Sequence, residues 1–280
     1  MTTEVQAHMR AALASVPGVA LCVAFSGGPD STALLHCLAQ LPEARMRGLR
    51  ALHVDHALHP QSSTWAGHCE HFCTDLDVPL VVARVQVDRN LGDGLEAAAR
   101  AARYAAMARE LHPGEFLVLA QHRDDQAETV LLKLLRGAGP EGLGGMRPLR
   151  AFGPGQLWRP LLSLSHQQLV DYVAAWQLPT IRDPSNDDTR LARNFIRHEI
   201  LPGLLQQWPH AVHSIAHSAN LSRAAADALK SQWLPELDRL REATDGSLGV
   251  AGWLALDPAL RHPLLDHWLH AAGLRAPTTA

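Results

Sequence analysis

Six consecutive residues, Ser26-Gly27-Gly28-Pro29-Asp30-Ser31, combine types suited to holding an oxyanion. Glycines let backbone N–H groups come close to a ligand and tolerate positive φ. Successive N–H groups ahead of a helix N-terminus cradle phosphate. Ser26 and Ser31 add hydroxyl donors, whereas Pro29 has no N–H and stiffens the turn. Asp30 is the odd member, because a carboxylate repels phosphate unless a divalent cation such as Mg²⁺ lies between them. Read alone, the stretch favours phosphate binding over a plain tight turn with Asp30 as a helix cap. The loop lacks the Gly-Lys-Ser/Thr of P-loop NTPases and is not a G-x-G-x-x-G turn, so γ-phosphate transfer and hydride transfer lose ground.

A second group stands in "AQHRDDQAETVLLKLLRGAGPEGLGGM", residues 120–146. Asp124, Asp125 and Glu128 flank a helical stripe made by Ala127, Val130, Leu131, Leu134 and Leu135. Acidic residues in a first turn complement the helix dipole by about 0.3–1 kcal/mol. They also suit a metal or a substrate amine. Glu96, Arg100 and Arg103 share a helix face, either as a solvated ion pair or with a guanidinium aimed at phosphate. In "LHVDHALHP" a strand-to-loop transition scatters His53, His56 and His59, so nucleotide contacts from Asp55 or His56 are favoured over a metal site. Cys69 and Cys73, four apart, read as one buried helix face. "IRDPSNDDTRLARNFIRHEILPGL" carries Arg182, Arg190, Arg193 and Arg197 among Asp183, Asp187 and Asp188. That mixture is a capped, solvated helix or an edge that contacts RNA phosphates.

The elements that must position these groups alternate. Apolar runs at "VALCVAF", "LRALHV", "PLVVARVQV" and "EFLVLA" are separated by helical patterns, and a further short strand precedes a helix in "QLWRPLLSLSHQQLVDYVAAWQL". This predicts an α/β, doubly wound, mostly parallel sheet whose ligands bind at the strands' carboxyl ends. "SGGPDS", "DHALHP" and "QHRDDQAE" all fall there. From about residue 211 the pattern becomes helical, giving a catalytic region over 1–210 and a helical segment over 211–280.

Composition sets outer bounds. The chain has 280 residues, 47% of them apolar, enough for a sizeable core. No apolar run approaches the ~20 residues of a membrane span, and the N-terminus is unlike a signal peptide, so a soluble cytoplasmic protein is expected. Cys22, Cys37, Cys69 and Cys73 form no disulfide framework. A net charge of −3 argues against a broad nucleic-acid-coating surface without excluding a local patch.

"SGGPDS" closing a first strand resembles the pyrophosphate loop of the PP-loop (N-type ATP pyrophosphatase) superfamily, whose members split ATP between its α- and β-phosphates. Together with "HVDHALHP", "EAAARAARY", "HRDDQAETVLLKLLRGAGPEGLGGM", "RPLL" and "DPSNDDTRLARNFIRHEILP", it is similar in order and spacing to the bacterial tRNA(Ile)-lysidine synthetases, over about residues 18–205. The resemblance implies an adenine nucleotide α-hydrolase-like fold and a ligase using ATP and Mg²⁺. It would adenylate the wobble cytidine of a tRNA(Ile) with a CAU anticodon and join L-lysine to it through the ε-amino group.

Residue by residue, Ser26, Gly27, Gly28, Pro29, Asp30 and Ser31 would bind ATP, with Asp55 and His56 as further nucleotide contacts and Asp30 meeting Mg²⁺. Asp125 and Glu128, with Asp124 in reserve, would serve lysine. Arg103, or its neighbour Arg100, would stabilise the adenylate, while Arg190, Arg193, Asn194 and Arg197 would touch tRNA. Dimers occur in the family, so a homodimer is one expectation. The chain stops where the family's tRNA-gripping C-terminal region begins, so a truncated second domain is expected. The alternatives are a PP-loop 2-thiolation enzyme, which needs sulfur-transfer cysteines, and a non-catalytic ATP- or tRNA-binding module.

Overall fold

The computed structural model describes residues 2–55, 61–86 and 95–274. In chain order α1 (Thr2–Ala14) precedes β1 (Leu21–Ala24), α2 (Pro29–Ala39), α3 (Pro42–Arg45), β2 (Leu49–Asp55) and α4 (Ser62–Asp75). Then come β3 (Leu80–Arg84), α5 (Leu95–Glu110), β4 (Phe116–Val118), α6 (Arg123–Leu134) and α7 (Pro140–Leu143). A hairpin of β5 (Leu149–Phe152) and β6 (Gly155–Trp158) leads to α8 (His166–Ala175). After a 3-10 turn (Pro184–Asp187) follow α9 (Ala192–Phe195), a π-helical turn (Ile196–Ile200), α10 (Leu201–Gln207), α11 (Ala211–Leu240), α12 (Val250–Ala255) and α13 (Pro258–Ala271).

The strands form one sheet in the order β3-β2-β1-β4-β6-β5. Every pairing is parallel except β5 with β6, and Leu21 sits opposite Leu49 on one side and Phe116 on the other. Both faces are covered, which is why the inner strands are apolar without alternation. Leu21 and Val23 of β1 and Phe116 and Val118 of β4 pack with Met9, Leu34, Leu38, Phe72 and Leu169. Cys22 and Leu117 point the other way, against Ala106, Met107 and Leu111. The expected doubly wound, mostly parallel sheet is thus the observed one.

The edge hairpin departs from the single short strand read from the sequence. Its strands have only four residues each and β5 is largely exposed, so neither leaves a long apolar signature. Gly153, with φ +51°, makes the turn. A Cβ on Gly155 would stand 2.1 Å from the Glu115 carbonyl oxygen, so the hairpin can dock beside β4 only with glycine there. At the amino end of the sheet Arg50 grips Glu115 with Nε to Oε1 at 2.7 Å and Nη2 to Oε2 at 2.5 Å.

Residues 1–126 with 147–200 form one compact unit, and 127–146 with 201–280 a second. In the second, Trp233, Leu237 and Leu240 of α11 pack with Leu256 and Leu264. Arg223 donates to the carbonyls of Gly144 and Met146. No helix among the described residues is long and apolar enough to cross a membrane.

Candidate active site

The glycine loop turns β1 into α2. Gly27 adopts φ +79° and Gly28 is the extended N-cap, with Pro29 at the first helical position, where its missing N–H costs nothing. Serine hydroxyls fix the turn: Ser31 Oγ donates to the Gly28 carbonyl at 3.1 Å and lies 3.1 Å from Ser26 Oγ. Thr32 Oγ1 donates to the Gly27 carbonyl, which also accepts from the Ile181 N–H at 2.8 Å. The loop is thereby tied to the segment that leads into Asp183-Pro184-Ser185-Asn186. Asp30, in the first turn of α2, faces the next strand along, β4.

After β4 the chain delivers His122, which is 2% exposed, into a ring of carboxylates. Its Nε2 lies 3.4 Å from Asp125 Oδ2 and 3.7 Å from Asp30 Oδ2, and its Nδ1 lies 3.5 Å from Asp124 Oδ2. Burial alone would push this imidazole down, but Asp124, Asp30 and Asp125 outweigh it and raise the pKa to about 10. His122 is therefore an imidazolium at neutral pH. Burial likewise works to raise Asp124, yet His122 and the His166 N–H hold its carboxyl below the usual range. His166 begins α8 behind a capping box in which Ser165 and Gln168 bond reciprocally. Its Nε2 lies 3.6 Å from Asp30 Oδ1.

Two arginines approach from the α9 region. Arg197 pairs with Asp125 Oδ1 at 3.1 Å, and Arg193 donates to the Asp125 carbonyl at 3.3 Å. Arg197 stands in the π turn, an insertion often found at functional positions.

The structure thus gathers Asp30, Asp124, Asp125, Arg193 and Arg197 around one point. Glu128 follows one turn along α6 and is fully buried. Arg103 is exposed on α5, as is Arg100, whose guanidinium lies over the Tyr104 ring. Asp55 is buried at the carboxyl end of β2. His53 Nδ1 is engaged with the Phe25 carbonyl at 2.9 Å. His56, His59 and the side chain of Glu96 lie outside the described residues. Two of the residues expected to touch RNA already have partners within the chain. Asn194 is buried and gives its amide to the Ser185 and Asp188 carbonyls. Arg190 is exposed, but its guanidinium forks onto Asp188.

Sequence reasoning did not assign roles to His122 and His166. Position was the available signal: His122 closes a strand just ahead of an acidic pair, and His166 opens a helix behind Ser-x-x-Gln. Asp30, His122 and His166 each bring a ligand atom within 4.8 Å of the others. Of the three, Asp30 supplies the carboxylate oxygen that a hard cation takes. Its Oδ1 is buried with no hydrogen-bond partner, which fits a hard cation. All four cysteines are buried and desolvation raises each thiol to about 12, so none supplies a thiolate.

The profile of the PP-loop domain family matches residues 1–204. A tRNA(Ile)-lysidine synthase of Xanthomonas axonopodis pv. citri is 50% identical over 259 residues, which are 92% of this chain and 58% of the relative. One from Xylella fastidiosa (strain Temecula1) is 49% identical, with the same two coverages. The chain therefore spans 58% of the length of these curated relatives. Among solved structures, a U34-tRNA thiolase from Methanococcus maripaludis superposes with TM-score 0.62 at 15% identity, covering 78% of this chain and 76% of the other, a likeness of fold alone.

Proposed function

This chain belongs to the PP-loop domain family, and on that premise we propose that it is the catalytic part of a tRNA(Ile)-lysidine synthetase. The observation that carries the reading is the identity of about half the residues, over nearly the whole chain, with relatives bearing that name.

The reaction has two steps. The 2-carbonyl oxygen of the wobble cytidine attacks the α-phosphorus of ATP, and pyrophosphate leaves. The ε-amine of lysine then attacks C2, and AMP departs carrying that oxygen. The loop of Ser26 to Ser31 would hold the pyrophosphate on its N–H groups and hydroxyls. A Mg²⁺ ion held by Asp30 would supply positive charge against the phosphates, in the few-carboxylates-plus-phosphate manner this ion favours. His122 and Arg197 keep Asp30, Asp124 and Asp125 compensated before substrates arrive. Asp125 and Glu128 are our candidates for receiving the lysine ammonium and its proton. Arg103 is our candidate for stabilising the adenylated base. The substrates imply a cytoplasmic enzyme.

The buried, high-pKa cysteines speak against sulfur transfer. The test is to incubate the chain with ATP, Mg²⁺, lysine and an unmodified tRNA(Ile)-CAU transcript, then digest and examine nucleosides by mass spectrometry. Lysidine with stoichiometric AMP is expected. Absence of lysidine, with the transcript shown to be bound, would contradict the reading.

A further inference from the structure

Arg159, just past β6, is 6% exposed. Its Nε donates to Gln121 Oε1 and its Nη1 to the Arg147 carbonyl at 2.8 Å. The Tyr104 hydroxyl is a further polar neighbour. Among the described residues no carboxylate meets this guanidinium. Burial, with Arg150 and Arg100 as like-charged neighbours, pushes its pKa down against an opposing contribution from Tyr104. A buried charge of this kind is strongly unfavourable until something neutralises it.

Two exposed arginines stand beside it. The Arg100 guanidinium lies 4.9 Å from the Tyr104 ring centroid, and Arg150 lies 5.4 Å from that of Phe152. The two rings meet edge to face at 5.8 Å. Stacking on rings limits the freedom of each guanidinium, so less order is lost when it meets a phosphate fork-on. Three like charges gather here on a chain whose net charge is −3, so composition does not explain them.

Gln121, the partner of Arg159, immediately precedes His122 of the catalytic group. Yet β6 is two strands away from β1 and its glycine loop, roughly 10 Å at the usual strand spacing. That separation suits a second polyanion reaching the site, rather than the phosphates held at the loop. We propose that Arg100, Arg150 and Arg159 form a binding surface for backbone phosphates of the RNA substrate, leading its target base to the site. This rests on the RNA-modifying reading above.

The test measures binding of a fluorescent anticodon stem–loop RNA to the chain between about 50 and 200 mM salt, a range over which phosphate contacts weaken steeply. ATP affinity is measured in parallel. Arg150→Ala, a surface variant, is expected to bind RNA more weakly, with the salt slope reduced by about 1. Its ATP affinity is expected to stay unchanged. Arg159→Gln is expected to weaken RNA binding further, and if it fails to fold, the surface variant decides alone. An unchanged RNA slope while the parent still makes lysidine would overturn the surface and leave the enzyme reading standing. Weakened ATP binding with RNA binding intact would assign the arginines to nucleotide phosphates and equally overturn it. A parent chain that binds no RNA would overturn both.

Discussion

Replacing Gly27 by alanine strikes the loop at its tightest point. Gly27 holds φ +79°, a left-handed conformation that costs an L-residue about 1–2 kcal/mol. The added Cβ would stand 2.5 Å from Ile181 Cδ1, 3.2 Å from its Cγ1 and 3.3 Å from Cys69 Sγ. Ile181 is anchored through its N–H to the Gly27 carbonyl and its half-buried side chain packs on the core, so relieving the contact means rotating its Cδ1 away from that packing. Overpacking of this kind costs about 1–3 kcal/mol, so the total expected loss is about 2–5 kcal/mol. Ile181→Ala removes the steric share but leaves the backbone share. The double variant should therefore be more stable than the two single losses predict, by about 1–3 kcal/mol. Urea unfolding of the four proteins measures this, and calorimetric ATP titration reads the same distortion at the phosphate loop. Gly27→Ala within about 0.5 kcal/mol of the parent, or strict additivity with Ile181→Ala, would refute the reasoning.

Three further outcomes follow from the same geometry. Burial tends to raise the pKa of Glu115, but Arg50 and the His112 N–H outweigh it and hold the carboxyl below its ordinary 4.5. Its stabilisation is therefore full above that pH and lost as pH falls through the lower folded value. Glu115→Gln should lose about 3–5 kcal/mol at neutral pH and flatten the acid limb of the stability profile, as urea unfolding from pH 3 to 7 would show. His122→Ala leaves Asp30, Asp124 and Asp125 without their shared imidazolium, and pyrophosphate release should fall by at least about 100-fold in steady-state assays. Ser165→Ala removes the capping box that starts α8 at His166, and should lower unfolding free energy by about 1 kcal/mol.

The sheet and the glycine loop were legible because their signals are local. An apolar run, two glycines and a helical pattern occupy one stretch of chain, and so do Asp124 and Asp125. The role of His122 was not, because its partners come from two loops far apart in sequence that meet only when β1 and β4 pair. His166 joins from a third segment for the same reason. The Arg-rich segment reads as a solvated helix or an RNA-facing edge, and its spacing does not say which side chains turn inward. A π turn shifts the helical phase by about one residue, so side-chain directions beyond Phe195 do not follow ordinary 3.6-residue spacing. Arg197, within the turn, reaches Asp125, whereas Asn194, ahead of it, gives its amide to the Ser185 and Asp188 carbonyls. The β5–β6 hairpin escaped because short, half-exposed edge strands carry little pattern.

If the chain activates a base oxygen by adenylation, as we propose, the fate of that oxygen reveals it. A synthetic anticodon stem–loop carrying ¹⁸O at the C2 carbonyl of the wobble cytidine would be turned over with ATP, Mg²⁺ and lysine, and the AMP examined by mass spectrometry. One ¹⁸O should pass into each AMP formed alongside lysidine. Lysidine formed together with unlabelled AMP would contradict it.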